Sequence, residues 1–345
     1  MRINKITRLN NAAELSRTNA ADITSMTAII FCKQRNNAPI FTMASYRKHY
    51  ALIFPSFHAY RLVRTCRKNQ TEQTLFNKIM RYEKRSTMKK VGVAGIGAIG
   101  TSVCNALIDG ITGYELHAIS DVQDKPEWNV PNLNFQDMAQ KCDLIIECLP
   151  PDIVPKLCTP VLQQGKELMI ISSCALLMYP DILKTHELST SRIIVPSGAL
   201  IGLDGVNALK NIGIKKAKIV STKPPMGFST APYVDENDID LSSIKEKTML
   251  FSGNALEASK GFPANVNVAA TLSLAGIGAM KTQVEIWADP QTGFNSHEIQ
   301  VESEFSQITA KVQNSPDPAN PKTSVLAAQS IIATLRGFTN EFVVL

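Results

Sequence analysis

Gly95, Gly97 and Gly100 are spaced as G-x-G-x-x-G within "KKVGVAGIGAIGTSVCNALIDG". Glycines at this spacing suit main-chain binding of an anion. The first permits a tight turn, the second lets the backbone approach a pyrophosphate, and the third lets a helix pack closely on a strand. The helix that opens at Ala98 and Ile99 would offer free N–H groups and positive potential to that pyrophosphate. Asp121 stands 21 residues after Gly100, where a carboxylate accepts hydrogen bonds from an adenosine ribose. An acid there disfavours a 2′-phosphate, so NAD is the first choice, while nearby Lys125 keeps NADP open. The competing reading is a glycine-rich turn used only for packing. Strand-like Val91 and Val93, helical Val103, Leu107 and Ile108, the strand "YELHAISD" and the acid occur in the order a dinucleotide site requires.

Two further groups have chemical potential. In "ADPQTGFNSHEIQVESEF", alternation sets Ser296, Glu298, Gln300 and Glu302 on one face and His297, Ile299, Val301 and Phe305 on the other. His297 thus sits on an apolar face at the mouth of a turn. With an ordinary pKa of about 6.5, histidine suits proton transfer near neutral pH. His117 falls inside a strand and His186 in the polar "KTHELSTS". Pattern alone leaves His297 open between an acid–base group and a satisfied core histidine. Cys174 ends a strand before a possible helix N-terminus, an environment that lowers a thiol pKa. It would suit an acylating semialdehyde dehydrogenase; the alternative is a small residue lining a nicotinamide pocket.

These residues need a scaffold. "CDLIIECLP", "ELMIISSCALL" and "SRIIVPSGAL" read as strands, with a helix over 152–164 between the first two. Strands alternating with helices imply a parallel sheet covered on both faces, with ligands at the carboxyl ends of the strands. That puts Leu149, Pro150 and residues 172–175 near the cofactor. Beyond "PSGALIGLDG" the pattern changes. "KAKIVSTKPP", "KTMLFSGN", "KTQVEIWADP" and "HEIQVESEF" read as strands of a mixed sheet, with helices in "NALEASKGF" and "NVAATLSLAGIGAMK". The fold class is α/β, a Rossmann dinucleotide-binding domain at 88–197 with a mixed α/β substrate domain at 198–314. The segment 315–345, an amphipathic helix followed by strand-like "EFVVL", returns to the nucleotide domain.

Charge is unevenly spread. Residues 1–87 hold 16 Lys/Arg against 4 Asp/Glu, whereas the remainder holds 20 against 26. A basic extension therefore precedes a mildly acidic body, which offers no nucleic-acid surface. The extension lacks sustained periodicity. It reads as a targeting peptide, a basic binding arm, or sequence outside the functional protein, which would then begin at Met88 just before a strand. Seven cysteines without a C-x-x-C pair argue against disulfide frameworks and metal sites, and fit a reducing, cytoplasmic compartment. No run approaches the roughly 18 apolar residues of a membrane helix.

"VPSGALIGLDG", "TKPP", "FPANVNVAATLSLAGIG", "ADP" with "NSHEI", and "SPDPANPKTSVLAAQSI" together resemble the aspartate dehydrogenase family, in the same order from Val91 to the C-terminus. The resemblance implies a Rossmann domain plus a substrate domain, commonly a homodimer. It implies NAD- or NADP-dependent oxidation of L-aspartate to iminoaspartate, and the reverse amination, feeding NAD synthesis. The family's acid–base histidine falls on His297, and its nucleotide-contacting alanine and asparagine on Ala175 and Asn267. It depends on no thiol at Cys174, which weakens acyl chemistry there. A substrate with two carboxylates needs cations or N–H donors. Lys223 and Lys322 are candidates, or else surface lysines. Asn295 would orient His297 or cap the turn. Asp289 reads as a turn former, and Asn267 as the N-cap of the helix it begins.

Overall fold

The computed structural model describes residues 29–32, 40–43, 88–317 and 320–344. Most of the basic extension lies outside the described residues. Two pieces of it, β1 (Ile29–Cys32) and β2 (Ile40–Met43), pair antiparallel with Ile30 opposite Thr42.

From Met88 strands and helices alternate: β3 (Lys89–Ala94), α1 (Ala98–Gly110), β4 (Tyr114–Ser120), α2 (Phe135–Lys141), β5 (Leu144–Glu147), α3 (Val154–Gln163), β6 (Glu167–Ile170), α4 (Cys174–Met178), α5 (Asp181–Glu187) and β7 (Arg192–Ile194). The strands form one parallel sheet in the order β4-β3-β5-β6-β7. Apolar side chains on both faces require cover on both. Leu144 and Ile146 join Val91, Val93, Val103 and Leu107 in one core, while Ile145 joins Met138, Leu157 and Leu168 in the other. The chain leaves β3 toward β4 on one side and returns to β5 on the other. That reversal opens a crevice at the carboxyl ends of β3 and β5.

The second half runs through α6 (Leu203–Ile212), β8 (Ile214–Lys223), α7 (Pro232–Glu236), β9 (Thr248–Asn254), α8 (Ala255–Gly261), α9 (Asn267–Ala275), β10 (Thr282–Ala288), β11 (Asn295–Ser303) and β12 (Gln307–Asn314). Its sheet has the order β12-β11-β8-β10-β9, with β8 and β10 parallel and the other pairs antiparallel. Period-two alternation buries Ile219, Val284, Ile286, Ile299 and Val301 against Val206, Leu209, Phe262 and Leu272 from the helices. The other face carries ion pairs such as Lys218–Glu285 (2.8 Å) and Lys216–Glu302 (3.6 Å). Partly exposed pairs of this kind contribute about 0–1 kcal/mol, so the apolar face holds the sheet in place.

Two expectations are corrected at strand ends. Phe305 is not on the apolar face; β11 stops at Ser303 and Phe305 is 77% exposed in the turn to β12. Residues 342–344 form no strand. Their β-branched run has strand propensity, but pairing makes a strand. Before that tail, β13 (Pro316–Asp317) and β14 (Asn320–Ser324) pair antiparallel. α10 (Val325–Thr339) follows, its start capped by Ser324 Oγ accepting the Leu326 N–H at 3.1 Å. Ile331, Ile332 and Leu335 of α10 lie in the same core as Val103 and Leu107 of α1. Among the described residues no helix is long and apolar enough to cross a membrane.

Candidate active site

One cleft of about 940 Å³ connects the glycine turn to the end of the second sheet. At the first end, Gly95 has φ +88°, and a Cβ there would strike the Cys148 carbonyl; a Cβ on Gly100 would strike the Gly95 carbonyl. Both positions therefore exclude a side chain. Gly97 differs, since a Cβ there would meet nothing within 4 Å. Its open side faces the cleft, together with Ala98 and Ile99. The first turn of α1 has no side-chain cap and no acidic residue, so its N–H groups remain available to an anion. Asp121 Oδ2 accepts the Ile96 N–H at 2.7 Å, and Oδ1 accepts the Gln123 N–H at 3.0 Å. Each oxygen keeps a lone pair for a ribose hydroxyl. An unencumbered glycine, uncapped helix N–H groups and a tethered acid fit a nicotinamide dinucleotide.

The second sheet supplies the other end. His297 stands opposite Ser221 on neighbouring strands, and alternation along β8 carries Ser221 and Lys223 on the same face as Ile219. The buried apolar face therefore turns polar where it meets the cleft. His297 is 5% exposed, and its Nδ1 lies 2.9 Å from Ser221 Oγ. The ring is thereby fixed, leaving Nε2 for a ligand. Burial pushes the His297 pKa down to about 3, and the Lys223 charge adds to the effect. Lys223 is also 5% exposed; its Nζ donates to Asn265 Oδ1 at 2.9 Å, and burial pushes its pKa down to about 8. No carboxylate pairs with Lys223 among the described residues. Asn295 lines the same cleft, buried, with no hydrogen bond to its side-chain amide among the described residues.

Asn267 is not the N-cap of its own helix. Val266 occupies that place, and Asn267 Oδ1 instead accepts the Cys174 N–H at 3.1 Å, capping α4. Its amide N–H groups are left for the cleft. Ala175 is fully buried in the core behind the parallel sheet, and Ile171 and Ser172 line the cleft beside it. For Cys174 the structure favours the non-catalytic reading. Its thiol is fully buried and donates to the Pro263 carbonyl at 3.0 Å. Burial, with Glu147 nearby, pushes its pKa up to about 12. Enclosure outweighs the five-residue helix behind it, so no nucleophilic thiolate exists there. Asp289 forms a turn, accepting the Gln291 N–H at 2.9 Å. Lys322 lies in β14 with its side chain outside the described residues; Ser324, two positions on, lines the cleft.

Sequence reading missed three residues here. Ser221 and Asn265 hold the two titrating groups. Glu147, fully buried at the end of β5, binds the main chain of two cleft loops. Its signal was a lone carboxylate in the apolar run "LIIECL".

The chain is similar over residues 204–338 to the family described as aspartate dehydrogenase, C-terminal, and over 95–196 to the homoserine dehydrogenase NAD binding domain. It is 40% identical to L-aspartate dehydrogenase 3 of Bordetella bronchiseptica, across 71% of this chain and 93% of that protein. It is 42% identical to the L-aspartate dehydrogenase of Methanococcoides burtonii, across 72% and 96%. Among solved structures, the aspartate dehydrogenase of Thermotoga maritima superposes with a TM-score of 0.59 at 28% identity, covering 74% of this chain and 99% of that one. With a dinucleotide turn and a buried His–Lys pair facing one cleft, and relatives of this similarity spanning nearly their whole length, the chain belongs to the aspartate dehydrogenase family.

Proposed function

We propose that the protein is an NAD(P)-dependent L-aspartate dehydrogenase, oxidising the CH–NH2 carbon of L-aspartate to iminoaspartate and running the reverse amination. The observation that carries this reading is the shared cleft, in which Lys223 and His297 face the same space as the glycine turn. When bound, the nicotinamide accepts the hydride leaving Cα. The chain supplies the rest. Lys223 holds a substrate carboxylate, replacing water that burial has removed. Asn295 donates from its unpaired amide to the same substrate. His297, neutral at physiological pH, takes a proton from the substrate ammonium at Nε2 while Ser221 holds the ring. Asn267, anchored by its oxygen, presents N–H groups to the cofactor, and Asp121 receives the adenosine ribose.

The test is a spectrophotometric assay of reduced nicotinamide formed from L-aspartate with NAD and with NADP, using D-aspartate and L-glutamate as comparisons. L-Aspartate-dependent reduction is expected, with NAD favoured because Asp121 repels a 2′-phosphate. No reduction of either cofactor would overturn the assignment. Cys174→Ser is expected to leave this turnover largely intact; abolished turnover in a folded variant would restore a thiol mechanism.

A further inference from the structure

Glu147 closes the carboxyl end of β5 and is fully enclosed. No cation pairs with it among the described residues. Its oxygens instead accept main-chain N–H groups, from Leu149 at 2.5 Å and from Ser172 at 2.9 Å. Leu149 and Ser172 belong to different loops, after β5 and after β6, and both line the cleft. The Ser172 hydroxyl completes the circuit by donating to the Leu149 carbonyl at 2.9 Å. A buried carboxyl is costly unless its oxygens are satisfied, and here its only evident use is to hold two loops together.

We propose that Glu147 is a positioning residue for the cofactor wall of the cleft, which when ionised clamps the Leu149 and Ser172 loops together and when protonated releases one of them. The inference rests on the cleft being a dinucleotide site. A carboxylate accepts at both oxygens, whereas a protonated carboxyl places an O–H donor against one of the N–H donors. Burial pushes this carboxyl up to about 7, against the pull of the N–H groups. The titratable neighbours are thiols: Cys148 in the adjoining turn, Cys158 of α3, Cys174 of α4 and, beyond Cys148, Cys104 of α1. All are pushed far up by burial and are uncharged near neutrality. Across the cleft, His297 stays neutral down to about 3 and Lys223 stays charged up to about 8. Glu147 is therefore the group in this set that changes charge as pH falls through 7.

The experiment is NADH binding to the full chain without aspartate, followed by nicotinamide fluorescence across neutral pH. In the wild type, affinity should fall as pH drops through about 7. Glu147→Gln keeps one acceptor and faces the other N–H with an amide, so it should bind at least about tenfold more weakly on the alkaline side and lose the pH dependence. Wild-type affinity and pH dependence in Glu147→Gln would overturn the proposal. If that variant does not fold, Glu147→Asp decides: it keeps a carboxylate but is too short for both loops, and undiminished affinity would count against the clamp. A wild type that binds no NADH at any pH overturns the dinucleotide reading and the clamp with it.

Discussion

Replacing His297 with alanine lowers L-aspartate turnover by at least about 100-fold, the usual scale for a lost acid–base group, while the fold and NADH binding survive. Turnover near wild type in the folded variant would refute the assignment. The site explains why a histidine with so low a pKa can still serve. Burial is the first cause of its depression to about 3, and the neighbouring Lys223 cation is the second. On the proposed reading, a substrate carboxylate settling on Lys223 would offset that cation, relieving the smaller of the two causes and so raising the basicity of the ring. The same burial links stability to pH. Between the ordinary value of 6.5 and the folded value of about 3, the unfolded chain binds a proton that the folded chain refuses. Stability is therefore full above 6.5 and declines as pH falls through that window. His297→Ala should soften this decline in acid unfolding measured by circular dichroism.

Lys223→Met raises the KM for L-aspartate by at least about 30-fold, the lower end of the effect of removing one partner from a buried, hydrogen-bonded charge pair. Its fold should be as stable as the wild type or more so. Among the described residues Lys223 has only the neutral Asn265 as a side-chain partner, so methionine removes a buried charge and leaves no opposite charge stranded. A structural lysine would give the reverse pattern: a lower melting temperature with KM unchanged. In the wild type, KM should also rise as pH climbs through about 8, where Lys223 loses its proton.

What the sequence disclosed about this site follows from periodicity. A half-buried sheet repeats its face every second residue, so His297 could be grouped with Ile299 and Val301 before any coordinates. The glycine turn was readable because three backbone demands fall within six residues. Glu147, Asn265 and Asn267 were not readable in the same way. Glu147 binds an N–H 25 positions away, Asn265 a lysine 42 positions away and Asn267 an N–H 93 positions away. The first two pairings form within one half of the chain and the third between the halves, but all three join distant segments that no local pattern records. Cys174 shows the same limit from the other side. Its place after a strand left an activated thiol open beside a plain small residue, but enclosure decides reactivity, and part of that enclosure comes from Pro263, on a segment 89 positions away.

The bond that diverts Asn267 from its own helix has a mechanical consequence. Cys174 N–H to Asn267, Ser173 hydroxyl to the Asn267 carbonyl (2.8 Å) and Ser173 to the Thr271 hydroxyl (2.9 Å) stitch α4 to α9 along one line. Pulling the halves apart there would break all three bonds at once and expose their donors and acceptors in a largely dry seam. That line therefore acts as a rivet between α4 and α9, and it holds the Asn267 side chain at the wall of the cleft.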